Sequence, residues 1–188
     1  MLSADKVIVK RHVTAALLLI LGSLPLQCAT LERLSLDDMI SKSSSIVRGK
    51  VVSSYAAFSG PVIYTHYTVQ VSERLKGSVG SSVDVVVPGG VANGLRQSFA
   101  GAPTFNNGDE YVFFLWTSRA GLNQVMGLTQ GIFAVTADGS ADPVTTRAAS
   151  HELMLAQGTG QPVKDETLVM HLSELRTQIS KTAGAAGK

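Results

Sequence analysis

Residues 109–117, DEYVFFLWT, constrain the fold more than any other stretch of this chain. From Tyr111 to Trp116 every residue is large and apolar, so the segment has no polar face and both of its sides need cover. Turn residues bound it, Asn106-Asn107-Gly108 before and Ser118 to Gly121 after. The run is shorter than a buried helix requires, and it is rich in aromatic residues. It is expected to be the central strand of a closed or doubly packed sheet. It offers no chemistry, so function has to lie elsewhere.

Whatever surrounds that strand belongs to an exported chain. Lys6, Lys10 and Arg11 form a positive start, and residues 13–26 (VTAALLLILGSLPL) form an apolar run of signal-peptide length. The run is too short for a comfortable membrane span and ends at Pro25 and Gln27. Residues 1–29 therefore read as a signal peptide, and the mature protein as secreted or periplasmic, without a transmembrane segment. Its removal changes the charge balance. Of 16 basic and 14 acidic residues, Lys6, Lys10, Arg11 and Asp5 lie in the leader, so residues 30–188 carry 13 of each sign. A neutral chain argues against nucleic acid or an anionic membrane surface as partner, because both select clustered Lys and Arg.

Cys28 is the only cysteine, so no disulfide framework is available. With Ala29 it marks the cleavage region. It is either a small residue of the cleavage window and lost, or a lipidated first residue, or a free N-terminal cysteine. The first reading is preferred, because Gln27 is bulky where a lipidation signal needs a small residue.

Ser35 followed by Asp37 and Asp38 caps a short helix whose Leu36, Met39 and Ile40 share one face. Residues 45–54 read as a strand with Val47, Gly49 and Val51 inward, and Gly49 as the place for a bulge. Residues 55–61 read as a loop. Residues 62–75 form a long strand with Ile63, Thr65, Tyr67, Val69 and Val71 on one face and Tyr64, His66, Thr68, Gln70 and Ser72 on the other. Residues 82–87 form a third strand. Residues 88–108 are a long irregular loop, of a length that is often functional. Residues 123–128 and 132–135 form a hairpin. Residues 145–158 hold a short helix, residues 167–181 an amphipathic one with Leu168, Leu172, Leu175 and Ile179 on its apolar stripe, and residues 182–188 a frayed tail. The pattern defines a mainly β fold: a small closed Greek-key barrel of OB type over residues 30–150, with a C-terminal helical segment, residues 151–181, packed on it.

The search for catalytic constellations finds none. His151-Glu152 begins like HExxH, but Leu155 occupies the second histidine position, so two imidazoles cannot face one metal. No GxSxG elbow or phosphate loop is present, and no cofactor or metal site is indicated. Tyr64, His66 and Gln70 on the long strand, and Arg96, Gln97 and Phe99 in the long loop, are the candidate binding residues. Aromatic and Arg side chains on strands and loops are common interface anchors.

The order SSIVRGKVV (residues 44–52), YTHYTVQVSERLKG (64–77), residues 83–88, then EYVFFLW (110–116) resembles the OB-fold domain of netrin-like modules and tissue inhibitors of metalloproteinases. It is also similar to a set of uncharacterised exported bacterial proteins. The resemblance covers residues 35–136 and implies a five-stranded Greek-key barrel flanked by helices. The family's inhibitors chelate a protease zinc through a free N-terminal cysteine, a part that only Cys28, after cleavage behind Gln27, could play here. The family ties that segment down with disulfides, which this chain lacks. The expected function is a non-enzymatic binding or accessory module acting on another exported protein. An inhibitor of an exported metalloprotease is the alternative, and an enzyme with a site assembled over long range is the third reading.

Overall fold

In the computed structural model, which describes residues 29–137 and 139–186, DEYVFFLWT becomes a strand with one core on each side. The elements are, in chain order, β1 (Thr30–Glu32), α1 (Leu36–Lys42), β2 (Ser45–Ser59), β3 (Val62–Lys76), β4 (Ser82–Pro88), β5 (Gly90–Ala92), β6 (Leu95–Gln97), β7 (Glu110–Thr117), β8 (Asn123–Val125), β9 (Ile132–Thr136), β10 (Val144–Arg147), β11 (Leu153–Leu155), β12 (Pro162–Val163), β13 (Leu168–His171) and α2 (Leu172–Ala186). The fold is mainly β with two helices, one of them C-terminal. The signal-peptide assignment and Cys28 lie outside the described residues.

Along β7, successive side chains point to opposite faces. Phe113 and Leu115 enter a core with Val47, Val51, Tyr67, Val69, Val85 and Phe105. Val112 and Phe114 enter a second core with Met39, Ile40, Ile46, Phe133 and, from α2, Leu172, Leu175 and Ile179. Val112 to Leu115 are fully buried, whereas Trp116 is 38% exposed. The expectation of cover on both sides therefore fails at the strand's last apolar residue.

Eight strands share one sheet in the order β13-β10-β9-β7-β2-β3-β4-β8. The second edge of β7 is divided. Tyr111 to Phe113 pair with β9, and Leu115 to Thr117 pair with β8. Strand β8 also lies parallel to β4, through Val85–Asn123 and Val86–Gln124. Strands β8 and β9 are therefore not the hairpin expected from sequence, since each takes one half of β7. The chain between them turns back beside Phe114, whose N–H donates to Gly131 O (2.9 Å) while its carbonyl accepts from Met126 N (2.9 Å).

The β2–β3 hairpin is longer than expected. Residues 55–59, read as loop, continue β2, and the turn is only Gly60-Pro61. Residues 88–108 are likewise not wholly irregular, because β5 and β6 form a small hairpin within them. Gly49 sits at a register shift of β2, as its bulge position required. A Cβ there would lie 2.6 Å from both Gln70 O and Val69 Cγ1. Backbone cannot move aside cheaply, so Gly49→Ala should cost about 2 kcal/mol in denaturant unfolding. Gly184→Ala, in α2 with no atom within 4 Å of the added Cβ, should instead stabilise by roughly 0.5 kcal/mol.

The C-terminal third is corrected most. Residues 145–158 hold no helix: Val144–Arg147 is β10, and Leu153–Leu155 is β11. The helix expected over residues 167–181 begins only at Leu172 and runs to Ala186, through most of the expected frayed tail. The segment 151–181 is thus part strand and part helix. Leu172, Leu175 and Ile179 are nevertheless the buried stripe, with Leu168 packing on the same core from β13. In α1, Ser35 and Asp38 form a capping box, and the Asp37 carboxylate accepts from Gln178 Nε2 (2.8 Å) and Thr182 Oγ1 (2.7 Å) of α2. The acidic pair joins and caps helices.

Candidate functional site

The outward face of β3 carries Tyr64, His66, Thr68 and Gln70, since Ile63, Tyr67 and Val69 are buried on the other side. His66 is the centre of a built cluster. Its Nδ1 lies 2.7 Å from Asp84 Oδ2 on β4. A carboxylate accepts, so Nδ1 carries the proton and Nε2 is the ring nitrogen left for a partner. The Tyr55 ring stacks on the imidazole, with centroids 4.7 Å apart and planes 7° from parallel. Both contacts follow from register: Tyr55 pairs with His66 across β2–β3, and Asp84 pairs with Thr68, next along the same face.

The same cross-strand row continues. His66 pairs with Val86, Val86 with Gln124, and Gln124 with Trp116. Residues opposite one another in a ladder share a face, so Trp116, Gln124, Val86, His66 and Tyr55 line up across five strands. The two ends are open, with Tyr55 57% and Trp116 38% exposed, while Val86 in the middle is buried. One aromatic side chain thus stacks on, and a second shares the row of, a histidine already pinned by that stack and by a hydrogen bond to a carboxylate. Little rotamer freedom remains to be lost when a partner binds.

Arg96, Gln97 and Phe99 do not join this row. The β5–β6 hairpin packs on the opposite face of β2–β3, where a Cβ at Gly90 would meet Thr65 Oγ1 at 2.6 Å and Ile63 Cγ2 at 3.3 Å. Gln97 is a tie: its Oε1 accepts from Ile63 N (2.7 Å), and its Nε2 donates to Pro61 O (3.0 Å). Arg96 is exposed and Phe99 is 43% exposed. The six residues singled out in the sequence therefore split between two faces. Tyr55, Asp84 and Trp116 were missed, although Asp84 is the lone charge in SVDVVV.

A cavity of about 360 Å³ lies elsewhere, lined by Phe105, Tyr111 and Ile132 with Thr129, His151 and Glu152 among others. Tyr111 Oη donates to Asp109 Oδ2 (3.2 Å). Burial, with the Asp109 charge and hydrogen bond, pushes the Tyr111 phenol up to about 12, so it stays protonated at any physiological pH. His151 and Glu152 occupy a bend, neither a helix nor half of a zinc motif. Among the described residues no group of three or more His, Cys, Asp or Glu side chains is placed to hold a metal ion, and no helix is long and apolar enough to cross a membrane.

No protein-family model matches this chain, and no curated protein matches it. The class that the coordinates define is a mainly β protein with two helices. Its function has to be argued from the site.

Proposed function

We propose that this chain is an exported, non-enzymatic binding module, built on a closed five-stranded barrel of OB type, whose Trp116–His66–Tyr55 row takes another exported protein. The barrel reading rests on five pairings, β2–β3, β3–β4, β4–β8, β8–β7 and β7–β2, which return to their starting strand with β4–β8 as the one parallel pair. A ring in that strand order is what an OB barrel requires, which supports the barrel reading. The single observation that carries the binding reading is the pinned aromatic row. Exposed Tyr and Trp beside an ordered polar centre supply large, rigid contact area at low entropic cost.

The test is capture from the native exported fraction with wild type and with the double variant Tyr55→Ala/Trp116→Ala. Both side chains are exposed, so the variant should still unfold cooperatively, with a loss on the order of 1–2 kcal/mol, while retention of the captured protein falls more than tenfold. Retention that survives the double variant but is lost on Arg96→Ala/Phe99→Ala would move the site to the opposite face.

One observation bears on the inhibitor reading. The missing disulfides do not leave the N-terminal segment loose, because β1 is paired parallel to β11. The buried Gln130 side chain also bridges Glu32 O (2.9 Å) and Leu34 N (2.8 Å). The segment is ordered in advance, so little conformational entropy would be lost in presenting it to a protease. Zinc chelation still requires Cys28 as first residue.

A further inference from the structure

Nine large hydrophobic side chains stand exposed among the described residues, and six of them belong to one end of the molecule: Val52, Tyr55, Phe58, Val91, Leu95 and Phe99. Clustering of that kind marks a contact surface, whereas apolar residues exposed singly need no explanation. The same end is almost free of charge. Residues 51–72 contain no Asp, Glu, Lys or Arg, and residues 85–108 contain Arg96 alone. Two hairpins build it. The outer half of β2–β3 ends at the Gly60-Pro61 turn, and β5–β6 lies on one of its faces. Exposed apolar side chains occur on both faces. Phe58 pairs with Ile63 on the face that carries β5–β6, whereas Tyr55 pairs with His66 on the other.

A folded partner covers one face of a hairpin and meets it with a polar rim. A lipid layer surrounds a tip and penalises charge on every side. Lipid also requires backbone polar groups to be satisfied from within. The tip does this with neutral groups: Gln97 Oε1 accepts from Ile63 N (2.7 Å), Gln97 Nε2 donates to Pro61 O (3.0 Å), and Ile63 O accepts from Gly89 N (2.7 Å). We propose that the ends of β2–β3 and β5–β6 insert together into the surface of a neutral lipid bilayer, with Phe58 and Leu95 among the acyl chains. Tyr55 lies three residues behind Phe58, about 10 Å along the strand. That spacing sets its ring at headgroup level, where tyrosines of membrane proteins gather. The depth agrees with the ~5–10 Å that interfacial elements reach. With Arg96 the one cation at this end, attraction to anionic lipid is not what holds it. The inference goes beyond the partner-protein reading and uses neither His66 nor Trp116.

The test is co-sedimentation of the exported protein with phosphatidylcholine vesicles. Wild type should bind, and Phe58→Ser/Leu95→Ser should lower the partition coefficient more than tenfold, because two apolar side chains no longer leave water. Both positions are exposed, so the variant should keep its circular dichroism spectrum. Raising sodium chloride from about 0.1 to about 0.5 M should leave wild-type binding within twofold, since screening weakens only charge contacts. No binding, equal partition of the two proteins, or binding lost in salt would each overturn the inference. Self-association of wild type in sedimentation equilibrium, absent from the variant and from the vesicle assay, would make the tip an interface between two copies instead. Were Cys28 retained and lipidated, both proteins would reach the vesicle, and depth would decide. A nitrobenzoxadiazole fluorophore on the thiol introduced by Ser59→Cys should then shift to the blue and be quenched by a nitroxide carried on the acyl chains. An unshifted, unquenched fluorophore rules out insertion.

Discussion

Phe113→Asp is expected to abolish folding. The Phe113 ring is fully buried. It meets Phe105 edge-on with centroids 5.3 Å apart and Tyr111 at 5.4 Å, while Phe105 in turn lies edge-on to Tyr67 at 4.9 Å. The remaining side chains of that core are aliphatic, among them Val47, Val69, Val85 and Leu115. An aspartate there finds no cation, so it is buried either ionised and unpaired or protonated with little to bond, a cost of several kcal/mol. Loss of the ring adds roughly 3–5 kcal/mol of cavity and transfer terms. Together these are comparable with the 5–15 kcal/mol by which a domain is typically stable. Phe114→Asp should fail equally, through the other core beneath α1 and α2. Trp116→Asp, at an exposed position, should fold with a loss of about 1 kcal/mol or less. Circular dichroism melts of the three variants would separate the cases. A cooperatively folding Phe113→Asp protein would mean that the strand is covered on one side only.

That contrast locates what the sequence discloses. A run such as Val112 to Leu115 reports burial on both faces whichever elements supply the cover. Alternation in β3 likewise places Tyr64, His66 and Gln70 outward without knowledge of a neighbour. The C-terminal third was misread because its strands owe their existence to distant partners. Met154 is paired on one side to Leu31 and on the other to Val163, and β13 is held by β10. Local spacing in HELML and TLVMHLSELR fits a helix as well as a strand. The start of α2 was equally hidden, because its cap is remote. Asp142 accepts from Ser173 N (3.0 Å) and Ser173 Oγ (2.6 Å) across 31 positions. Residues 55–59 lack alternation and are strand only because β3 runs beside them. The same limit governs the site. His66 was found by its face, but Tyr55, Asp84 and Trp116 reach it through register, which no single strand encodes.

Asp165→Asn should cost roughly 3–5 kcal/mol, because it strands a buried guanidinium. Arg147 and Asp165 are 2% and 6% exposed. They form a two-pronged pair, Nη1 to Oδ2 and Nη2 to Oδ1, both 2.9 Å, and Arg147 Nη2 also donates to Glu166 O at 2.6 Å. Asp165 further accepts from Ser150 N (2.8 Å), with Arg33 Nε 3.8 Å away. The pair thus fastens β10 to the segment before β13 and to the residue following β1. Replacing both partners by apolar residues, Arg147→Met with Asp165→Leu, should recover most of the loss, since neither buried charge then remains unpaired. Acid should expose the same bond. Burial raises the Asp165 carboxyl, but the hydrogen bond and charge of Arg147 and the Ser150 amide outweigh it and leave the group below the ordinary 3.8. A carboxyl depressed by folding contributes its full stability above the unfolded value and loses it as pH falls through the folded one. The stability gap between wild type and Asp165→Asn, from urea unfolding, should therefore stay constant from neutral pH down to about 4 and close only below that. A gap unchanged to pH 2 would mean that the asparagine protein is weakened by shape, with the charge contributing nothing.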